Sequence, residues 1–141
     1  MAESERDAAT ERSEERRRLA EQRADDARRR AAVAHTNADA ARKQGNSRSA
    51  AVHDHEAAIH QRAVQIHLQA VRLQQQHTKE LVEALGRTGV DETSLRQIMA
   101  NVQRARDDAE LRSEQARTFA LKARERAQKL HGRRRSGARD A

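Results

Sequence analysis

Residues 20–41 read AEQRADDARRRAAVAHTNADAA. Within them Ala20, Ala24, Ala27, Ala31, Ala34, Ala38 and Ala41 follow one another at alternating separations of four and three. That alternation holds one side of a 3.6-residue helix in line, so the stretch predicts a long helix with a heptad seam made only of alanine. Nothing bulky on such a seam keeps a neighbouring helix away. Each methyl contributes less than about 1 kcal/mol when buried, so stability has to come from many repeats and from bulkier residues opposite.

Working outward, the same rhythm continues to the end of the chain. Val52, Ile59, Ala63, Ile66, Ala70, Leu73, His77, Leu81 and Ala84 share one face of a second segment. A second face of that segment carries Ala57, Val64, Leu68, Val71 and Val82. A helix with two apolar faces is expected to touch two neighbours. The third segment repeats the pattern through Leu95, Ile98, Val102, Ala105, Ala109, Arg112, Ala116, Phe119, Ala123 and Leu130, with Arg112 as the large polar intruder.

Two interruptions separate the three segments. Gly45-Asn46-Ser47, with Ser49 behind it, and Gly86-Arg87-Thr88-Gly89-Val90-Asp91 each offer a glycine to end one helix and polar residues to cap the next. Asp91 is the expected cap of the third helix, because Glu92 then falls in the first turn with the sign that suits the helix dipole. Gly132 is expected to end that helix. The expected organisation is therefore a single helical domain over 1–131, with helices over about 8–44, 48–85 and 91–131, then a disordered basic tail over 132–141. Short turns make neighbouring helices antiparallel. The fold class expected is all-α: an elongated antiparallel three-helix bundle, or coiled coil, with alanine-rich heptad seams.

Composition agrees with long helices and excludes several classes of protein. Alanine supplies 28 of 141 residues and proline none, so helix formers abound and breakers are scarce. A single phenylalanine is the only aromatic residue, which removes base stacking as a route to single-stranded nucleic acid. Cysteine is absent, excluding disulfides, thiolate metal sites and cysteine nucleophiles. No apolar run nears the roughly 20 residues of a membrane span. The first thirty residues mix both signs of charge with no hydrophobic signal core, so a cytoplasmic location without membrane contact is expected.

The net charge of +7 needs locating before it is interpreted. Residues 1–44 and 45–90 each carry +1, residues 91–131 carry +2, and the last ten carry +3 through Arg133, Arg134, Arg135 and Arg139 against Asp140. Mixed charge along a helix gives a solvated face with weak ion pairs rather than the one-signed stripe that phosphate demands. Nucleic-acid contact is thus expected only as a weak alternative, through Arg133, Arg134 and Arg135. Asn37-Ala38-Asp39-Ala40-Ala41 partly resembles the Asn-x-x-Ala-Ala core of a leucine-zipper basic region. Gln44-Gly45 stand where that pattern has its phosphate-gripping arginine, and Asp39 would face DNA, so no DNA reading follows from it.

Histidine is the remaining chemical signal. His53, His60 and His67 recur every seven residues, about 10.5 Å apart along the axis, too far to share a metal. His53, Glu56 and His60 form the best local set, by spacings of three and four, and another chain would have to complete it. No metal and no cofactor are therefore expected, and the row reads as solvated or interfacial. No Glu-x-x-His pair, glycine-rich phosphate loop or nucleophile elbow occurs, so neither an enzyme nor a small-molecule substrate is expected. The expected function is a non-enzymatic helical interaction or scaffold protein that self-associates or docks a helical partner. The partner-binding residues expected are Ala24, Ala27, Ala31, Ala34 and Ala38 of the first helix with Val64, Leu68 and Val71 of the second.

Overall fold

The first helix ends where glycine permits a left-handed residue. In the computed structural model, which describes residues 2–86 and 91–139 with side chains over 8–130 apart from 9, 81, 84 and 85, Gly45 has φ of 74°. The Asn46 amide donates to the Ala41 carbonyl at 2.8 Å and the Gly45 amide to that of Arg42 at 3.0 Å. This double closure satisfies carbonyls the helix end would leave bare. Asn46 then caps the next helix, its side-chain oxygen accepting from the Ser49 amide at 3.1 Å. Asp91 does the same for the third, accepting from the Ser94 amide at 2.6 Å. That backbone hydrogen bond holds the Asp91 carboxyl below its ordinary range.

Three helices result: α1 (Ala2–Lys43), α2 (Ser47–Gly86) and α3 (Glu92–Arg139), packed against each other with no strand among the described residues. The expected boundaries fall within two residues of these at both ends of α2, at the end of α1 and at the start of α3. The end of α3 requires a correction. The helix passes through Gly132 and continues to Arg139, where a disordered tail is expected from Gly132 onward. Glycine inside a helix costs about 1 kcal/mol but does not stop it, and no proline follows to do so. Residues 87–90 of the second interruption, the side chains of Leu81 and Ala84, and residues 140–141 lie outside the described residues.

Where one domain is expected, the helices sort into two compact units, Met1–Gln22 with Ile66–Glu114 and Arg23–Gln65 with Gln115–Ala141. An unbroken seam carries no composition change to mark that division. In the first unit, Ala20 of α1, Ala70 and Val71 of α2 and Ala109 of α3 form the core, with Leu73 packed against them. In the second, each helix contributes one alanine, Ala27, Ala63 and Ala120, flanked by Ile59, Val64 and Ala116. All seven alanines of the α1 seam are buried. Methyl groups at these positions let the backbones approach closely, so dispersion contacts between main chains and methyls replace the bulky side chains of an ordinary core.

Candidate functional site

The sector of α2 that is most deeply buried is polar. His53, His60, His67 and Gln74, one every seven residues, are 5 %, 0 %, 0 % and 1 % exposed. Val52, Ile59, Ile66 and Leu73, each one residue earlier, are only half-buried. This rules out a solvated histidine row and leaves it buried between helices. The cause is helix geometry. At about 100° per residue, the face of Val52 and Ile59 and the face of Ala57, Val64 and Leu68 lie roughly 150° apart. The histidine row falls between them. A helix that packs one such face on each of two neighbours buries the stripe in the middle, whatever that stripe contains.

Buried polar atoms need partners, and each of these four side chains has at least one. In the second unit Glu56, itself buried, holds two of the histidines: Oε2 lies 3.4 Å from Nδ1 of His53, and Oε1 lies 3.3 Å from Nε2 of His60. Nδ1 of His60 has no hydrogen-bond partner. Burial pushes the His60 imidazole below its ordinary pKa; Glu56 opposes that shift, while Arg30 of α1 and Arg124 of α3 add to it. Arg30 is in turn held below its usual value by burial first, with Arg124 and Arg117 adding and Asp26 opposing.

In the first unit His67 Nδ1 lies 2.7 Å from the Ser113 hydroxyl of α3. The Gln74 amide donates to the Arg106 carbonyl at 3.0 Å, and Arg106 donates to the Thr78 hydroxyl at 3.0 Å. Arg106 is buried, and that burial lowers its pKa, with Arg16 and Arg12 adding to the effect. Replacing Ser113 by alanine should cost about 1–2 kcal/mol, because it removes one side of a buried hydrogen bond and leaves the imidazole in place. Urea unfolding of the variant at neutral pH measures that loss as a shift in midpoint.

The α1 residues expected to bind a partner are used inside the chain. Ala24, Ala27, Ala31, Ala34 and Ala38 are all buried, as is Val71, whereas Val64 and Leu68 are half-buried. The alanine seam is core because the chain's own α2 and α3 cover it, so it is no open docking surface. Arg112 reaches solvent, as a long amphipathic side chain can. His77 pairs on its own helix with Glu80 at 3.1 Å. His53, Glu56 and His60 are brought together as their spacing implies, yet the two imidazoles engage opposite oxygens of one carboxylate. No group of three or more histidine, aspartate or glutamate side chains among the described residues is placed to hold a metal ion. The side chains of Arg133, Arg134 and Arg135 lie outside the described residues.

With polar side chains inside, the bulky apolar row of α2 is left beside α3. In the first unit Ile66, Leu73, Ala109 and Arg112 line a crevice of only about 10 Å³. In the second unit this side opens into a groove of about 520 Å³ floored by Val52, Ile59, Ala123 and Leu130, with Arg48 and Arg126 along it. Neither the buried histidines nor this groove followed from counting apolar residues. The signal was in the angles, since two apolar faces define a sector between them. No family model, curated protein or solved structure matches the chain. No helix among the described residues is long and apolar enough to cross a membrane.

Proposed function

We propose that the chain is a non-enzymatic helical interaction or scaffold protein that works by packing helix on helix, with another copy of itself or with a helical partner. Each unit is an antiparallel three-helix bundle with alanine-rich heptad seams, held in the cytoplasm. Pairings within the second unit support the antiparallel order. Ala27 meets Ala63, His35 meets Gln61 at 2.9 Å and Arg42 pairs with Asp54, so α1 rises as α2 descends. In the first unit His67 with Ser113 and Gln74 with Arg106 have the same sense between α2 and α3.

One observation carries the functional reading: α2 spends its centre on polar residues and leaves branched apolar side chains half-exposed. Taking such a residue from exposed to fully buried gains about 1.5–3 kcal/mol; half-buried, each forgoes roughly half of that, which a partner helix can supply. Sedimentation velocity over a wide concentration range, repeated with amphipathic helical peptides added, tests this. Mass above the 15.9 kDa of one chain, or a complex with a peptide, is the expected result. A chain that stays monomeric throughout and binds no helix overturns it.

A further inference from the structure

We infer that the α2–α3 groove of the second unit is a docking site for an acidic amphipathic helix. The inference rests on the reading of the chain as a helix-docking protein and specifies the site and the chemistry of what fills it. The groove has an apolar floor, Val52 and Ile59 from α2 and Ala123 and Leu130 from α3. A trough between two helices takes a third along its length, with apolar residues at three- and four-residue spacing pointing into it. Phe119 stands one turn before Ala123 on α3 and is 58 % exposed. Phe119 does not line the groove, but aromatic side chains are enriched where proteins meet.

Charge decides the class of partner. Arg48, His55 and Arg126 line the groove, and all three are exposed. The one acidic residue along it, Glu56, is buried and turned to His53 and His60. Among the described residues the groove therefore offers arginines and no exposed carboxylate. A second copy docked face to face would set arginines against arginines, which costs free energy at an interface. Glutamates flanking an apolar stripe would instead meet both arginines. Elsewhere in this unit a guanidinium with carboxylates in reach pairs with them, as Arg42 does with Asp39 and Asp54.

The test uses the whole chain and a fluorescent synthetic helix of about 18 residues, about 27 Å long, with leucine at heptad seam positions and glutamate beside them. A second peptide carries lysine in place of each glutamate. Anisotropy titration should show the acidic peptide binding at least about tenfold more tightly than the basic one. The double variant Arg48→Glu, Arg126→Glu should lose that binding about tenfold or more and reverse the preference. Both sites are exposed, so helicity by circular dichroism should be unchanged. Ile59→Gln should weaken both peptides by removing floor rather than charge. Equal binding of the two peptides overturns the inference, as does acidic binding that survives the double variant. If neither peptide binds while the chain self-associates, and Ile59→Gln abolishes the self-association, the groove belongs to a second copy. The inference then fails while the interaction reading stands.

Discussion

Replacing Ala27 by leucine should destabilise the protein by about 3 kcal/mol and lower its melting temperature by roughly 10 °C. Ala27 meets Ala63 and Ala120, so one methyl from each helix fills that layer. Leucine adds three carbons where backbones approach closely and no rotamer leads to solvent. The helices must then separate, and methyl contacts in the layers above and below go with them. A leucine at Val33, which is 60 % exposed on the same helix, should leave the melting temperature nearly unchanged. Thermal melts followed by circular dichroism compare the two variants. Equal effects would mean that alanine at the seam is composition rather than packing.

Acid should destabilise the protein through the polar row. Protonating His60 puts a second N–H on a ring that is fully buried, beside Arg30 of α1 and Arg124 of α3, with only Glu56 of α2 to offset the charge. Its folded-state pKa therefore lies below the ordinary 6.5, with burial the largest cause. Well above pH 6.5 the ring is neutral in both the folded and the unfolded chain, and it makes stability no function of pH. As pH falls below that value the unfolded chain takes the proton first, so stability drops, at a limiting slope of about 1.4 kcal/mol per pH unit for each such proton. The loss stops growing once pH is below the folded-state pKa. Urea unfolding midpoints from neutral to mildly acidic pH should fall accordingly, and His60→Gln should flatten the dependence. A wild-type midpoint that stays level across the range would show that the ring accepts its proton without cost.

The buried side of α1 is legible in the sequence, since the seven alanines at four-and-three spacing are all buried. The turns were legible because Gly45, Asn46 and Asp91 act through local geometry. The interior of α2 was not. Hydropathy assigns a polar residue to solvent, but His60 and His67 lie between two apolar faces and have no outward path. In α3 the same misreading put Phe119 on the inner seam. The seam runs instead through Val102, Arg106, Ala109, Ser113 and Ala120, leaving Phe119 exposed. Gly132 misled for a related reason: it permits a helix end, and only the surrounding chain decides whether one occurs.

The same inversion links packing to function. In the first unit His67 with Ser113 and Gln74 with the Arg106 carbonyl tie the polar stripe of α2 to α3. In the second unit Val52 and Ile59 line the groove, and Ile59 also packs against the alanine core.

The rotation of α2 can be read directly from the reactivity of its imidazoles. Brief treatment of the folded protein with diethyl pyrocarbonate near neutral pH, followed by peptide mass mapping, should modify the exposed His35 and His55. His53, His60 and His67 should stay protected until the chain is unfolded. Modification of His60 and His67 in the folded chain as readily as His55 would put the row in solvent and contradict the account.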